Sequence, residues 1–338
     1  MIMFDIITIG SATRDGFFQG IDFKVCKNNK FVTSKGLCLA LGSKISVPEV
    51  IFTTGGGATN TAVTFARQGL KTVAIFRVGK DVSGETILRE LKEEGVNINF
   101  AQIDYAMPTA YSVIFLIKSG ERTILSYKGA AEKLTLWEIP LSQVKTKWLL
   151  LGSLGKEKNI LKNLILWAKE KKIHLAINPG WRELGWLKKN KKWLNNFEIF
   201  VVNQEEAAYF TGISFKREKL IFQKLDHWIK GIVVMTKGKN GVSVSNGKYL
   251  FQARTFDKKI SQKPKDLTGA GDAFTSGFVS VFVRRKKFDE KTIEEAIKVG
   301  SINASSVIKY IGAKKGVITL KEIKRLINKE LQIKKVKL

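Results

Sequence analysis

The fold is decided by the stretch Asp266-Leu267-Thr268-Gly269-Ala270-Gly271-Asp272, after which the chain becomes helical. Two of the three residues before Asp272 lack a Cβ, so the backbone can come close to a ligand. The pattern predicts a helix start, where unpaired N–H groups and the helix dipole attract anions. Gly269, Ala270 and Gly271 are therefore a candidate anion hole beside the Asp272 carboxylate.

A carboxylate beside an anion hole suits phosphoryl transfer, which needs a positioned base and electrostatic stabilisation. At a helix start we expect Asp272 to be ionised and ready to accept a proton. The same residues also fit a glycine-rich loop with an aspartate at a helix start, so this stretch alone leaves both interpretations open. Dinucleotide and P-loop motifs are excluded, because Phe274 replaces the third glycine and no Lys-Ser/Thr pair follows.

Composition predicts one large globular domain over residues 1–338. Hydrophobic residues make up 44% of the chain, and no Ser/Pro-rich linker divides it. The net charge is +28, but the lysines are scattered along the chain. This pattern favours a basic surface that attracts anionic substrates over specific nucleic-acid binding. A non-catalytic, basic nucleic-acid-binding protein stays open as a distant alternative, and the lysine-rich tail 333–338 is expected to fray.

The remaining composition argues against a zinc site and a membrane span. Cys26 and Cys38 do not form a CxxC pair, and the two histidines, His174 and His227, lie far from them. The first residues contain an early acid and resemble a first strand more than a signal peptide. No apolar run reaches membrane-spanning length, so we expect a cytoplasmic protein with reduced thiols.

Short apolar runs alternate with helical patterns along the chain, which predicts βαβ units and a mostly parallel sheet. The predicted strands are Ile6–Ile9, Lys71–Val78, Lys147–Leu151, Ile173–Ile177, Phe197–Val202 and Ile232–Met235. The predicted helices are Ala58–Gln68, Ser83–Glu94, Glu157–Lys171, Glu205–Phe210, Ala270–Val283, Asp289–Lys309 and Leu320–Leu331.

Two segments, 17–53 and 100–128, break this alternation. In the second, strands Ala110–Lys118 and Thr123–Tyr127 are predicted to form a hairpin through Ser119-Gly120. Ligands of open α/β sheets bind at the carboxyl ends of the strands. We therefore predict that the two segments form a small β-lid that shields this edge from water.

The stretch Asp266–Asp272 resembles the C-terminal signature of the PfkB/ribokinase-like carbohydrate kinases. The resemblance implies a three-layer α/β/α fold with a small lid, use of ATP and Mg²⁺, and Asp272 as the catalytic base. It also implies that the amides of Gly269, Ala270 and Gly271 hold the transferred phosphoryl group. Leu267 departs from the family pattern, which usually has a small or β-branched residue there.

A second stretch, Gly55-Gly56-Gly57-Ala58-Thr59-Asn60, resembles the N-terminal signature of the same family. The resemblance implies that Gly55 and Gly56 let a sugar approach the backbone and that Asn60 binds its hydroxyls. A third stretch, Gly10 to Asp15, resembles the first substrate loop and implies that Thr13 and Asp15 contact the acceptor. Ribokinases usually carry Asn at the position of Thr13, which weakens the case for ribose itself.

The remaining family features concern the metal and the nucleotide. Asn203-Gln204-Glu205-Glu206 resembles the Asn-x-x-Glu motif, which implies a role for Asn203 at the nucleotide and for Glu206 at Mg²⁺, although Asn203 is also a good helix N-cap. The resemblance places further nucleotide contacts in two glycine turns and a C-terminal helix. These residues are Thr236, Gly238, Gly241, Thr268 and Asn303. For the helix residue, Asn303, an exposed position on the helix surface is the alternative.

The function implied is transfer of the γ-phosphoryl group of ATP to a hydroxyl of a sugar or sugar-like molecule. A nucleoside kinase of adenosine or cytidine type is the alternative, because roughly forty residues separate Asp15 from Gly55 and leave room for a larger lid. The resemblance also suggests K⁺ near Gly312 and a homodimer formed through the lid.

Overall fold

The computed structural model describes residues 3–21, 24–27, 35–117, 122–257 and 263–338. Its main element is a nine-stranded sheet, in which six neighbouring strands are parallel and three at one edge are antiparallel. In spatial order the strands are Ile333–Lys337, Tyr249–Ala253, Val242–Ser245, Ile232–Thr236, Ile199–Asn203, His174–Ile177, Trp148–Leu151, Ile6–Ile9 and Thr72–Ile75.

The parallel strands are apolar at successive positions because both faces of the sheet are covered. In Ile199–Asn203, the side chains of Ile199 and Val201 enter one core, and those of Phe200 and Val202 enter the other. All four are at most 1% exposed. Two-sided burial is what the continuous apolar runs predicted, and the three-layer α/β/α architecture is confirmed.

Helices cover both faces of the sheet. Those packed into the core that contains Phe200 are Ile160–Lys171, Trp181–Lys189, Gln204–Thr211 and Glu218–Trp228. Those on the opposite side are Gly57–Arg67, Val82–Glu93, Ala270–Arg285, Glu290–Val307 and Leu320–Leu326. Short 3₁₀ turns occupy Gly129–Lys133, Lys191–Asn196 and Gly238–Asn240.

A separate four-stranded sheet contains the strands Arg122–Tyr127, Tyr111–Leu116, Thr13–Gln19 and Glu49–Gly55, in that spatial order. We call it the lid sheet. Thr13–Gln19 runs antiparallel to Glu49–Gly55, with Asp15 opposite Thr53. The predicted turn Ser119-Gly120 lies outside the described residues. Because Thr13–Gln19 begins just past the carboxyl end of Ile6–Ile9, the lid sheet stands over the edge where ligands bind.

Three short strand pairs complete the described structure. Met3–Phe4 pairs with Lys145–Thr146, and Arg77–Gly79 pairs with Gln102–Asp104, so the predicted strand Lys71–Val78 is divided at Phe76. Lys24–Lys27 pairs with Lys35–Cys38 in a small hairpin. The Cys26 thiol donates to Gly36 O at 3.5 Å there, and its proximity raises the pKa of the Cys38 thiol.

Two predictions about the C-terminus are wrong. The tail is ordered as the strand Ile333–Lys337, which pairs with Tyr249–Ala253. Its apolar residue Val336 packs on the core, while Lys335 pairs with Glu290 and lies 3.9 Å above the Tyr249 ring. The last helix ends at Leu326, five residues before the predicted end.

In the part of the chain that the structure describes, no helix is long and apolar enough to cross a membrane.

Candidate active site

Two clefts open at the carboxyl ends of the parallel strands, on either side of the start of helix Ala270–Arg285. The polar cleft, about 220 Å³, is lined by residues that include Ser11, Gly57, Ser153, Asn178, Glu206 and Asp272. The apolar cleft, about 370 Å³, is lined by residues that include Thr236, Gly238, Gly241, Ala270, Gly271 and Phe274. The adjacent residues Gly271 and Asp272 therefore face different clefts.

Asp272 is held by a residue far away in the sequence. Asn60 Nδ2 donates a hydrogen bond to Asp272 Oδ2 at 2.8 Å, across 212 positions. The side chain of Asp272 is partly accessible in the polar cleft, and the Cβ that Gly57 lacks would stand 3.8 Å from Oδ1. Oδ1 is thus the oxygen directed toward the first turn of helix Gly57–Arg67.

Burial raises the pKa of Asp272 above its ordinary value, and the hydrogen bond from Asn60 opposes the rise. Desolvation therefore acts against the ionised form that the helix start is expected to favour. A carboxylate with a raised pKa is a stronger base. Asn60, which is predicted to bind the acceptor, also fixes one oxygen of the predicted base.

The amides beside Asp272 are arranged as a helix start. Gly269 has φ of 76°, and the first intrahelical bond runs from Ala273 N to Gly269 O at 2.8 Å. The N–H groups of Gly271 and Asp272 precede that bond, so helix geometry leaves them without a partner in the helix. Ala270 N donates to Leu267 O at 3.3 Å, so its amide is partly used to close the turn.

The loop before the helix is braced by Asp266, whose side chain is fully buried. Its Oδ1 accepts from Thr268 N at 2.9 Å and from Thr268 Oγ1 at 2.7 Å, and its Oδ2 accepts from Gly312 N at 3.0 Å. The Thr268 hydroxyl, which was predicted to contact the nucleotide, is therefore used in a hydrogen bond within the loop. Gly269 is required here, because a Cβ would lie 2.3 Å from Ala313 Cβ.

The apolar cleft contains most of the predicted nucleotide residues. Thr236 ends a strand, and Gly238 and Gly241 form the turn after it. Gly241 has φ of 89°, and a Cβ there would be 2.1 Å from Ala253 O, so only glycine fits. Further lining residues are Ala304 and Ser305 of helix Glu290–Val307 and Ile308 at its end.

Asn303 does not reach this cleft. Its side chain is fully buried, so the surface alternative is wrong. Asn303 Nδ2 donates to Ala273 O at 2.8 Å, and its Oδ1 accepts from Ile318 N at 3.1 Å. Asn303 Nδ2 also contacts Thr64 Oγ1 at 3.3 Å, so the amide is bonded to three elements of the fold. Asn303 therefore supports helix Ala270–Arg285 from behind, and a contact with adenine does not fit its position.

Asn203 and Glu206 form a capping box at the start of helix Gln204–Thr211. Asn203 Oδ1 accepts from Glu206 N, and Glu206 Oε2 accepts from Asn203 N, each at 2.8 Å. Glu206 also lines the polar cleft with Asp272, and burial raises its pKa. One carboxylate oxygen, Oε1, is therefore left for a ligand in the cleft.

The acceptor residues predicted from the first loop meet at the base of the lid sheet. Asp15 is 5% exposed, and its Oδ1 accepts from Thr13 Oγ1 at 3.0 Å. Gly55 must lack a Cβ, because that atom would stand 2.1 Å from Asp15 Oδ2. A Cβ at Gly56, where φ is 99°, would likewise stand 2.4 Å from Ser11 O. Gly55 and Gly56 therefore make room for the first loop, whereas the family resemblance had implied that they make room for a sugar.

Several lining residues of the polar cleft were not among the predicted site residues. Ser11 Oγ accepts from Gly57 N at 3.2 Å, and Asn178 Nδ2 donates to Val201 O at 3.1 Å. Ser153 and Asn178 each follow the end of a parallel strand. That position was the available signal, because strand ends meet at one edge of the sheet.

In the described residues, no group of three or more His, Cys, Asp or Glu side chains could enclose a metal ion. The polar cleft offers instead two carboxylates, Glu206 and Asp272. Mg²⁺ in kinase sites takes one or two carboxylates and completes its shell with water and phosphate oxygens. The residues present therefore fit a magnesium ion that arrives with a nucleotide.

Comparisons with known proteins agree with this geometry. Residues 29–320 match the pfkB family of carbohydrate kinases. The chain is 28% identical to a ribokinase of Haemophilus influenzae over 274 residues, which covers 79% of this chain and 85% of that protein. It is 25% identical to a cytidine kinase of Thermococcus kodakarensis, over 80% of this chain and 91% of that one.

Among solved structures, the fold matches Arabidopsis thaliana ribokinase complexed with ribose and ATP, with a TM-score of 0.76. The identity is 20%, and the match covers 97% of this chain and all of that one, so it supports the fold. The family match extends over most of the sequence and includes both glycine signatures. The chain therefore belongs to the pfkB family of carbohydrate kinases.

Proposed function

We propose that the protein transfers the γ-phosphoryl group of ATP to a hydroxyl of a sugar or nucleoside, with Asp272 as the base that accepts the hydroxyl proton. The observation that carries the proposal is the helix start shared by the two clefts. Gly271 faces the apolar cleft and Asp272 faces the polar cleft. A nucleotide in the first cleft would place its terminal phosphate beside an acceptor in the second.

The free N–H groups at Gly271 and Asp272 support stabilisation of the transferred phosphoryl group. They point from a helix start, where the dipole favours negative charge. The hydrogen bond from Asn60 fixes Asp272 Oδ2, so Oδ1 is the oxygen available to the acceptor hydroxyl. Positioned charge of this kind supplies most of the catalysis in phosphoryl transfer.

We propose that ATP occupies the apolar cleft, between the Gly238–Gly241 turn and the helix start. Glu206 would hold Mg²⁺ through Oε1 or through bound water, and the ion would neutralise charge on the phosphates. The Asn203–Glu206 capping box supports this role, because it orients the glutamate toward the cleft.

A monovalent cation near Gly312 rests on the family resemblance. Asp266 faces this loop, yet both its oxygens already accept hydrogen bonds from Thr268 and Gly312. The residues therefore give K⁺ little support. Turnover measured in potassium, sodium and choline chloride at equal ionic strength tests this activation.

The acceptor is proposed to lie against Asp15, Thr13 and Asn60. Asn60 Oδ1 is buried and, among the described residues, has no hydrogen-bond partner, so it can accept from a substrate hydroxyl. The ionised Asp15 carboxylate can accept two more hydroxyls. Adjacent hydroxyls of a sugar ring, free or in a nucleoside, match this set of acceptors.

A panel of sugars and nucleosides with ATP and Mg²⁺, read by ADP release, decides between a sugar kinase and a nucleoside kinase. Turnover confined to nucleosides would favour the alternative. Salt-dependent binding to DNA or RNA, with no turnover on any panel member, would favour the distant alternative of a basic nucleic-acid-binding protein. We expect turnover and no specific nucleic-acid binding.

A homodimer through the lid sheet is a further part of the proposal. One face of that sheet exposes apolar side chains, with Val50, Phe52, Leu125 and Tyr127 between 39% and 58% exposed. Register places Phe52 and Leu125 in one row across the sheet. Light scattering on the wild type and on Phe52→Lys should show a dimer that the substitution dissociates. A cytoplasmic location stays a prediction from the sequence.

A further inference from the structure

Lys314 is a buried cation between the lid sheet and the catalytic loops. Its side chain is 6% exposed, and it belongs to the loop that follows helix Glu290–Val307. Lysine rarely occupies such a position, because removing an ammonium from water is costly. Desolvation lowers the pKa of Lys314.

The ammonium contacts two elements. Lys314 Nζ donates to Thr54 Oγ1 of the lid sheet and lies 3.3 Å from Glu90 Oε1 of helix Val82–Glu93. Thr54 Oγ1 in turn donates to Glu90 Oε2 at 2.7 Å. The three side chains form a closed triangle that anchors the end of a lid strand.

The triangle anchors the lid strand that pairs with the strand carrying Asp15. Thr54 is opposite Arg14 in the strand pairing, and its neighbour Thr53 is opposite Asp15. The groups that influence the pKa of Asp15 are the hydroxyls of Ser112 and Thr13, the ammonium of Lys314 and the carboxylate of Asp266. Burial raises the pKa of Asp15, and the charge of Lys314 opposes that rise.

The same loop reaches the phosphoryl side of the site. Gly312, two residues before Lys314, donates its N–H to Asp266, which also holds Thr268. Lys314 therefore belongs to a continuous path from the anion hole to the lid strand.

The backbone of this loop has a separate anchor. Arg67 Nη1 donates to Lys314 O at 3.1 Å and to Val317 O at 2.9 Å. The loop backbone is thus anchored by contacts other than those of the ammonium. A buried ion pair can often be replaced by apolar groups without loss of stability, so stability alone does not require a charge at this position.

We propose that Lys314 is a positioning residue for the acceptor: its ammonium, bonded to Thr54 and Glu90, holds the lid strand opposite Asp15 in register with the loop of the anion hole. This inference rests on the proposed function. It predicts that the charge of Lys314 matters for binding of the acceptor and not for binding of ATP.

The test compares Lys314→Met with Lys315→Met, since Lys315 is the exposed neighbour whose ammonium lies over the Tyr310 ring. For Lys314→Met we expect the KM of the acceptor to rise about tenfold or more, with the KM of ATP nearly unchanged. The acid limb of kcat/KM for the acceptor should move to higher pH, because Asp15 loses a neighbouring cation. Lys315→Met should behave as the wild type.

Thr54→Val provides a second variant if Lys314→Met does not fold, because it removes the hydroxyl contact and keeps the shape. It should also raise the KM of the acceptor selectively. An unchanged acceptor KM in a folded variant, or an equal rise in both KM values, would overturn the proposal. Wild type assayed in parallel separates the two claims, since its turnover establishes the kinase activity whatever the variants do.

Discussion

Asn60 and Asp272 are joined by a 2.8 Å hydrogen bond, although they come from the first and the last third of the chain. The bond connects the two glycine signatures, because each residue lies in the first turn of the helix that its signature begins. It also leaves a single carboxylate oxygen of Asp272 for the proposed acceptor. The account of catalysis depends on this pair.

Asn60→Ala should weaken catalysis and shift its pH dependence. The amide opposes the burial that raises the pKa of Asp272, so its loss raises that pKa further. The base is then protonated at a higher pH, and the acid limb of kcat/KM moves upward. We expect kcat to fall by about one to two orders of magnitude, as for loss of a base-orienting group. An acid limb of kcat/KM at the same pH as in the wild type would contradict this role of Asn60.

Gly269→Ala and Gly271→Ala form a matched pair. At Gly269, φ of 76° and contact with Ala313 make any side chain strained, so unfolding should become easier by about 1–3 kcal/mol. At Gly271, a Cβ meets no atom within 4 Å, so the fold should tolerate it.

Because Gly271 lines the apolar cleft, its substitution should raise the KM of ATP without lowering the melting temperature. Thermal melts and nucleotide titrations check both variants. Equal melting temperatures for the two would contradict the strain argued at Gly269.

Glu206→Gln tests the magnesium role apart from the helix cap. A glutamine oxygen can still accept from Asn203 N, so the capping box and the melting temperature should persist. Loss of the negative charge should raise the Mg²⁺ concentration needed for half-maximal rate by about tenfold. An unchanged magnesium dependence would remove Glu206 from the site.

Asp226 should make the protein less stable as pH rises. Burial raises its pKa to about 6, from 3.8 in the unfolded chain. The folded state therefore binds the proton more tightly, and stability falls as pH increases from about 4 to about 6 and then levels off. Asp226 Oδ2 accepts from Ser245 Oγ, while Oδ1 is buried and lacks a partner among the described residues.

Asp226→Asn should remove this loss and raise the melting temperature at pH 7, with little change near pH 4. Asp289→Asn is the control, because hydrogen bonds from Thr292 lower the pKa of Asp289 and favour its ionised form. The melting temperature of Asp289→Asn at pH 7 should not exceed that of the wild type. The assignment would be contradicted if the melting temperatures of the wild type and of Asp226→Asn both rose steadily, and by the same amount, between pH 4 and pH 6.

The parallel sheet could be predicted from the sequence because burial on both faces leaves a direct signal, the unbroken apolar run. The family resemblance, which the comparisons confirm, rested on two glycine signatures. Strand Thr13–Gln19 was missed because Arg14, Asp15 and Gly16 interrupt its apolar pattern. Helix Trp181–Lys189 was missed because Arg182, Glu183 and Gly185 interrupt its short apolar face, and helix Glu218–Trp228 was missed because Lys224 divides its own.

Contacts between distant residues could not be predicted in this way. Periodicity gives the face of a helix and not the partner of a polar side chain. Asn303 illustrates this limit, since an asparagine in a helix is usually exposed and here three hydrogen-bond partners keep it buried. Lys314 is similar, because its partners Thr54 and Glu90 lie more than 200 positions earlier in the chain.

The most direct measurement is turnover of Asp272→Asn on the acceptor that the wild type phosphorylates, with nucleotide binding measured in parallel. Asparagine keeps the shape and can still meet Asn60, but it cannot accept the hydroxyl proton. The account predicts that kcat falls by several orders of magnitude, roughly the scale of losing a general base, while ATP binds nearly as before. Turnover within a few-fold of wild type would contradict the assignment of Asp272 as the catalytic base.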